Sequence, residues 1–318
     1  MAASPSALAM SVLTDTPAHP PHPITMPLAT PLPPSFDQAT PWGAQLASHP
    51  VAFWLAGTAM AMLVALVAHH LLRATRVHPL PSQTPMTRRA QGPAAGLVVA
   101  LSMLCATALV LAGAGAAGIS SLASSGQAGG FWGALDDALA AGLHAQAPVA
   151  VLQFFAGLTH LGDSGALAVA AVAVAWVLWF KGHRLLATGW LVAMGGNGVS
   201  TRVLKHLFER VRPEHMHGIA HADGFSFPSG HSSASMVAYT LLAYIATRLL
   251  PPRWHLPLAL LAGAVVFTTG WSRVVLQVHY ASDVLAGWLL GGMWALCAVL
   301  VIEGMSRWRS PRAAVDKS

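Results

Sequence analysis

The sequence predicts an all-α, polytopic membrane helix bundle, and three observations lead to that prediction. Hydrophobic residues make up 55% of the 318 residues and charged residues only 9%, whereas about a quarter of a soluble domain is charged. Several apolar stretches approach the roughly 20 residues that a helix needs to cross a bilayer. Lys and Arg residues lie mostly at the ends of these stretches, as is typical of membrane proteins.

Seven stretches have the length and composition of spanning helices. In chain order they are 51–72, 94–118, 165–180, 185–207, 233–250, 256–271 and 284–304. The frequent Ala and Gly residues in them favour close helix packing. The stretch 131–162 is less apolar and carries Asp136 and Asp137, so it is predicted to be a helical loop at the membrane interface.

The first 50 residues differ in composition from the rest of the chain. They contain no Lys or Arg and 11 of the 22 prolines, which predicts a disordered, Pro-rich tail. They also lack the basic region that begins a signal peptide. The two cysteines, Cys105 and Cys297, lie inside apolar runs and indicate neither a disulfide framework nor a metal site.

The distribution of basic residues predicts the topology. Twelve of the 17 Lys and Arg residues flank the hydrophobic stretches: Arg73, Arg76, Arg88, Arg89, Lys181, Arg184, Arg248, Arg253, Arg307, Arg309, Arg312 and Lys317. The positive-inside rule then places the N-terminus outside and the C-terminus in the cytoplasm. Because these cations serve as topology signals, the formal net charge of +6 does not indicate a nucleic-acid partner.

Three short motifs lie between the apolar stretches of the last third of the chain. They read Lys205-x6-Arg212-Pro213, Pro228-Ser229-Gly230-His231 and Ser272-Arg273-x5-His279-x3-Asp283. Alternation of the seven predicted spans brings all three motifs to the outer membrane face. The sequence therefore predicts that they form one site.

The cations of these motifs are suited to hold a phosphate group. Arg binds phosphate with two parallel hydrogen bonds, and Lys binds it as a point charge, so Lys205, Arg212 and Arg273 are the candidate phosphate ligands. Ser229 and the backbone N–H groups near Gly230 can add donors, because the turn opens a helix whose N-terminus favours anions.

Two histidines and a carboxylate complete the candidate site. His279 can attack phosphorus as a neutral imidazole, and His231 can protonate the leaving oxygen. Asp283 follows His279 by four residues, so one helical turn would let it fix the tautomer of that imidazole. This assignment needs no metal ion.

The remaining polar residues of this region receive plainer interpretations. His215, His217 and His221 match no zinc-binding pattern and favour a solvated loop, with substrate contact as the alternative. His160 and Asp163 are interpreted as interfacial polar residues, with a place at the border of the pocket as the alternative. Arg202 and Arg210 match no motif position and are interpreted as ordinary interfacial cations.

All positions of the three motifs match the signature of the type 2 phosphatidic acid phosphatase (PAP2) superfamily, which the chain resembles. The resemblance covers 94–304 as a six-helix core; 51–93 is then an extra span with a cytoplasmic linker, and 305–318 a basic cytoplasmic tail. It implies a phosphatase without metal or other cofactor that forms a phosphohistidine intermediate. Bacterial membrane members act on lipid phosphates and pyrophosphates at the periplasmic face of the inner membrane, including undecaprenyl pyrophosphate, phosphatidic acid and phosphatidylglycerol phosphate.

Alternatives to a lipid phosphatase remain open at this point. Vanadium haloperoxidases share the signature, but they are soluble and the seven predicted spans count against that class. A phosphatase of a small soluble ester, or a non-enzymatic membrane protein with a vestigial phosphate pocket, is also compatible with the chain. The sequence leaves open which lipid is the substrate, what the His215–His221 loop and the extra span do, and whether the protein forms oligomers.

Overall fold

The computed structural model describes residues 34–77, 130–213, 220 and 222–315, and these ranges contain helices and no strand. Two 3₁₀ turns accompany the helices, at Thr159–Gly162 and Pro252–Trp254. The helices are α1 (Pro34–Ser48), α2 (Pro50–Val77), α3 (Gly130–Gln146), α4 (Val149–Leu158), α5 (Ser164–Phe180), α6 (Arg184–Phe208), α7 (Gly230–Leu249), α8 (His255–Val275) and α9 (Ala281–Val315). The predicted all-α class is confirmed.

Four stretches of the described chain are long and apolar enough to cross a membrane. They are Pro50–Val67, Val149–Phe180, Pro252–Val275 and Ala281–Ser306, and they confirm the prediction of a membrane protein. The predicted spans 185–207 and 233–250 form α6 and α7, which are less apolar because α6 carries Arg202 and Lys205 and the buried faces of both helices carry hydroxyl or amide side chains. The predicted span 94–118 lies outside the described residues, so the total of seven spans stays a prediction.

The structure corrects the prediction of an interfacial loop over 131–162. Its first half forms α3, but α4 and the 3₁₀ turn after it join α5 in one apolar stretch of 32 residues. Asp163 lies within that stretch and caps α5, since its side chain accepts a hydrogen bond of 2.8 Å from the N–H of Ala166. A single acidic residue at a helix start is therefore compatible with a long apolar segment.

The predicted disordered tail over 1–50 was wrong for its last part, which forms α1. This helix packs on α3 through small residues: Ala47 is fully buried, and a Cβ added to Gly43 would come within 2.6 Å of the Ala138 Cβ. Eight of the 11 prolines in the first 50 residues precede Pro34, so the average over 50 residues hid a segment that is able to form a helix. Residues 1–33 lie outside the described part of the chain.

The helix α2 lies against α8. The indole N–H of Trp271 donates to the Pro50 carbonyl at 3.0 Å, and the indole N–H of Trp54 donates to the Thr268 hydroxyl at 2.9 Å. Both donors are satisfied inside an apolar contact, where an unpaired N–H would be costly. The predicted extra span is thus docked on the helix that carries the third motif.

Glycines on α9 set how closely it approaches α7. A Cβ added at Gly287 would lie 2.6 Å from the Ser229 carbonyl oxygen, and one at Gly291 would lie 2.4 Å from that of Ser233. This backbone contact brings the first turn of α7 beside the second and third turns of α9. The ends of α6 and α8 reach the same end of the bundle, so all three motifs meet there.

Candidate active site

Two direct contacts show that the three motifs form one site. The Ser229 N–H of the second motif donates to the Asp283 carbonyl of the third at 3.0 Å. The Arg212 Nη1 of the first motif lies 3.3 Å from the Nε2 of His279. Residues that are far apart in sequence are therefore neighbours in space, as their predicted placement on one membrane face required.

His279 lies in the short connection between α8 and α9 and is 3% exposed. Its Nδ1 is 3.5 Å from Oδ2 of Asp283 and 3.4 Å from the Ser226 hydroxyl oxygen. The same Oδ2 accepts a hydrogen bond from the Ser226 hydroxyl and one of 2.9 Å from the Tyr280 N–H. With Nδ1 directed at a carboxylate, the proton of the neutral ring belongs on Nδ1, and the lone pair of Nε2 faces the cations.

Burial lowers the pKa of His279 to about 4, although Asp283 opposes that shift. The positive charges of Arg212 and Arg273 lower it further. At neutral pH the imidazole is therefore uncharged, which is the state required of a nucleophile.

Backbone carbonyl groups hold Arg212 in place. Its Nε donates to Gly224 at 3.0 Å, its Nη2 to Asp223 at 2.9 Å and its Nη1 to Val278 at 2.5 Å. Lys205 is held in the same way, by the carbonyl of Phe225. Carbonyl oxygens fix the direction of a cation without cancelling its charge, so both side chains keep the capacity to bind an anion.

Arg273 is a buried cation with unused hydrogen-bonding capacity. It is 4% exposed, and its Nη1 donates to the Thr159 hydroxyl at 2.8 Å. Its Nε is buried without a hydrogen-bond partner among the described residues. A buried guanidinium with an unpaired N–H is unfavourable until an anion binds it, so this position is suited to a negatively charged ligand.

The first turn of α7 carries the second motif. Ser229 is fully buried and caps the helix, where its hydroxyl oxygen accepts from the Ser232 hydroxyl at 2.9 Å and from the Ser232 N–H at 3.4 Å. His231 follows in that turn, half-buried. Burial lowers its pKa to about 3, and the charges of Arg273 and His279 act in the same direction. Gly230 is partly exposed there.

Arg210 has a position in this site that the sequence interpretation missed. Its Nη1 donates to Oδ1 of Asp283 at 2.6 Å and to the Ser282 hydroxyl at 2.7 Å, and its Nη2 donates to Oδ2 of Asp136 at 3.1 Å. The interpretation of Arg210 as an ordinary interfacial cation was wrong. An acidic residue within the apolar helix α3 was the available signal, because a buried carboxylate requires a partner.

Other polar residues keep their plain interpretations or lie outside the described chain. Arg202 and His160 are exposed, and Asp163 caps α5. His215, His217 and His221 are outside the described residues. Within those residues, no group of three or more His, Cys, Asp or Glu side chains is placed to hold a metal ion.

Comparison with known proteins gives a consistent result. A sequence model of the PAP2 superfamily matches residues 186–305. The chain is 35% identical over 137 residues to phosphatidylglycerophosphatase B of Bacillus subtilis, covering 42% of this chain and 67% of that protein. It is 31% identical over 181 residues to a lipid A 1-phosphatase of Rhizobium etli, covering 48% of this chain and 72% of that protein.

A solved structure is also similar. It is a crystal structure of a transmembrane PAP2-type phosphatidylglycerolphosphate phosphatase from Bacillus subtilis, which matches with a TM-score of 0.52 at 28% identity. The match covers 63% of this chain and 94% of that one. The similarity therefore extends over nearly all of the helices of the solved chain, but over less than two thirds of this chain.

Proposed function

This chain belongs to the PAP2 superfamily, and we propose that it hydrolyses a phosphomonoester or pyrophosphate of a membrane lipid through a phosphohistidine intermediate. One observation carries the proposal. The Nε2 of a buried, neutral His279 adjoins Arg212, and neither Arg212, Lys205 nor Arg273 forms an ion pair with a carboxylate within the described chain. A nucleophile beside uncompensated cations is suited to attack a phosphate group.

The first half of the reaction transfers the phosphoryl group to His279. The lone pair of Nε2 forms the N–P bond while the bond between phosphorus and the lipid oxygen breaks. His231 gives that oxygen a proton, and the lipid leaves as an alcohol, or as a monophosphate when the substrate is a pyrophosphate. Asp283 stabilises the positive charge that develops on the imidazole of His279.

The second half releases orthophosphate. A water molecule attacks phosphorus, His231 takes a proton from that water, and the N–P bond breaks so that His279 is regenerated. The low pKa of His231 leaves its ring neutral and therefore able to accept this proton. For the first half, a phosphate monoester bound as its monoanion supplies the proton that His231 passes to the leaving oxygen, because the second pKa of the monoester is about 6.

The membrane-spanning helices support a lipid as the substrate, and the similar proteins are named as phosphatases of lipids. Phosphatidylglycerol phosphate, phosphatidic acid and undecaprenyl pyrophosphate are the substrates to test first. The distribution of basic residues favours a site on the outer face of the membrane and a C-terminus in the cytoplasm, so the proposed location is the periplasmic side of a bacterial inner membrane. From that side the head group reaches the cations while the hydrocarbon chains stay in the bilayer.

Phosphate release by the purified, detergent-solubilised protein tests the proposal. The three lipids are offered with EDTA present, beside short-chain phosphatidic acid and a soluble aryl phosphate. Release from a long-chain lipid by the wild type, with none by His279→Ala, is the expected result. Release of phosphate from the soluble ester alone would show that the substrate is a soluble ester and not a lipid. No release by a folded wild type would overturn the proposed hydrolysis.

A further inference from the structure

A buried network links α3 to the His279–Asp283 pair through Arg210. We propose that Asp136 and Arg210 are positioning residues for His279, which act through Asp283. The inference rests on the proposed function for its catalytic meaning. Asp136 lies on α3, before the residues 186–305 that the superfamily model matches, so it extends the functional site beyond the three motifs.

Both carboxylate oxygens of Asp136 accept hydrogen bonds from residues of this network. It is 2% exposed, and its Oδ1 accepts a hydrogen bond of 3.1 Å from the Ser282 N–H. Its Oδ2 accepts from the Ser282 hydroxyl and from Arg210. A carboxylate buried this deeply is stable only when it is paired, and its partners here are Arg210 and the residue next to Asp283.

Arg210 joins the two carboxylates because its guanidinium is a planar fork. One Nη atom binds Asp283 and the other binds Asp136. The guanidinium also lies over the ring of Tyr280, 4.3 Å from its centroid, where a cation–π interaction adds to its hold. Lys has a single ammonium on a flexible stem and reproduces neither the fork nor the stacking.

The network fixes the carboxylate of Asp283 on both sides. Arg210 holds Oδ1, while Ser226 and the Tyr280 N–H hold Oδ2. Rotation of the carboxylate would break at least one of these contacts. Oδ2 therefore stays near the Nδ1 of His279, and this keeps the Nε2 lone pair directed at the cations.

Asp136 also affects how much of the negative charge of Asp283 is neutralised within this network. Arg210 alone would neutralise Asp283 and weaken its attraction for a positively charged imidazole. With Asp136 present, two carboxylates share one guanidinium, and Asp283 keeps negative charge for His279. The loss of Asp136 should therefore slow the chemical step while leaving Lys205 and the other phosphate ligands in place.

The first test compares Asp136→Asn with Asp137→Asn, a matched control at the next, exposed position of α3. We expect Asp136→Asn to lower kcat roughly 10-fold to 100-fold with KM unchanged, because misplacement of a reacting group has effects of that size. Arg210→Lys, which keeps the charge, should do the same. Combining the two substitutions should lower kcat little more than either alone, because both act through Asp283.

A second measurement does not depend on activity. In protein labelled with ¹⁵N-histidine, the wild-type signal of His279 should be that of a ring protonated at Nδ1. In Asp136→Asn and in Arg210→Lys it should shift towards a mixture of tautomers, while Asp137→Asn keeps the wild-type signal. If Asp136→Asn does not fold, the kcat and the His279 tautomer of Arg210→Lys test the positioning role instead.

The outcomes separate the two proposals. Wild-type kcat and wild-type tautomer in both Asp136→Asn and Arg210→Lys would overturn the positioning role while lipid hydrolysis stands. A rise in KM without a change in kcat would overturn it as well, since that result indicates phosphate binding. If the wild type hydrolyses no lipid, the proposed function fails, and the tautomer of His279 still decides whether Asp136 controls it.

Discussion

The Nδ1 atom of His279 lies 3.5 Å from Oδ2 of Asp283, which follows it by four residues. The carboxylate is completely buried and its two oxygens are engaged by different partners, Arg210 on one and Ser226 with a backbone N–H on the other. The imidazole therefore has one ring nitrogen committed to the protein and one directed at the cations. This division of the two nitrogens is what a histidine nucleophile requires.

The first prediction concerns the nucleophile. His279→Ala should lower phosphate release by roughly 1000-fold or more, because the group that forms the covalent bond is gone. The protein is mixed with ³²P-labelled lipid, the reaction is quenched rapidly, and the label bound to the protein is tested for stability to acid and to alkali. Label on the wild type should survive alkali but not acid, as expected of a phosphohistidine. His183→Ala, exposed at the start of α6, is the control. If His279→Ala still carried the label, a residue other than His279 would be the nucleophile.

The second prediction concerns the buried cation Arg273. Arg273→Lys should lower kcat/KM roughly 100-fold, the size found when one preorganised donor to a developing charge is lost. Lys keeps the charge but not the N–H groups in the plane of the guanidinium. Steady-state kinetics with one lipid substrate measures this, and Arg202→Lys on the exposed face of α6 should match the wild type. Equal kcat/KM for both variants would show that Arg273 acts only through its charge.

The third prediction concerns pH. His279 lies outside the spanning segments, and its pKa is lowered to about 4, so it loses its nucleophilic lone pair only as pH falls through that value. A phosphate monoester loses its monoanion as pH rises through about 6. With phosphatidic acid, kcat/KM should therefore be bell-shaped, with limbs near these two values. A profile that rises continuously through neutral pH would contradict both the protonation states and the source of the proton.

The fourth prediction concerns the contact between α7 and α9. Gly287→Ala should destabilise the protein by about 1–3 kcal/mol, because the added methyl group meets the Ser229 backbone and overpacks the interface. Activity should fall with it, since Ser229 begins the turn that carries His231. Thermal unfolding in detergent measures the first effect. Gly195→Ala on α6 has open space around its Cβ and should unfold at the wild-type temperature or above it.

The sequence predicts the helical class and the motif residues because their signals are local. Apolar runs of spanning length need no partner to be recognised, and Lys205, Arg212, Arg273 and His279 belong to fixed spacings. Alternation of the spans then predicts that they meet, and the contact between Arg212 and His279 shows that they do.

The partners of these residues depend on contacts across the fold. Asp136 binds a residue 146 positions away, and no spacing rule connects them. Arg210 has the composition of any interfacial cation until Asp136 and Asp283 are seen on either side of it. The helix α1 was missed for a different reason, since a proline-rich average over 50 residues concealed a short segment with small and apolar residues.

The way in which backbone carbonyls hold Arg212 and Lys205 has a consequence for turnover. Because no carboxylate of the described residues forms an ion pair with these cations, the pocket should keep its positive charge after the lipid product of the proposed reaction has left. Orthophosphate carries the same charge as the group just hydrolysed and is held by the same atoms. The free ion should therefore act as a competitive inhibitor of the lipid substrate.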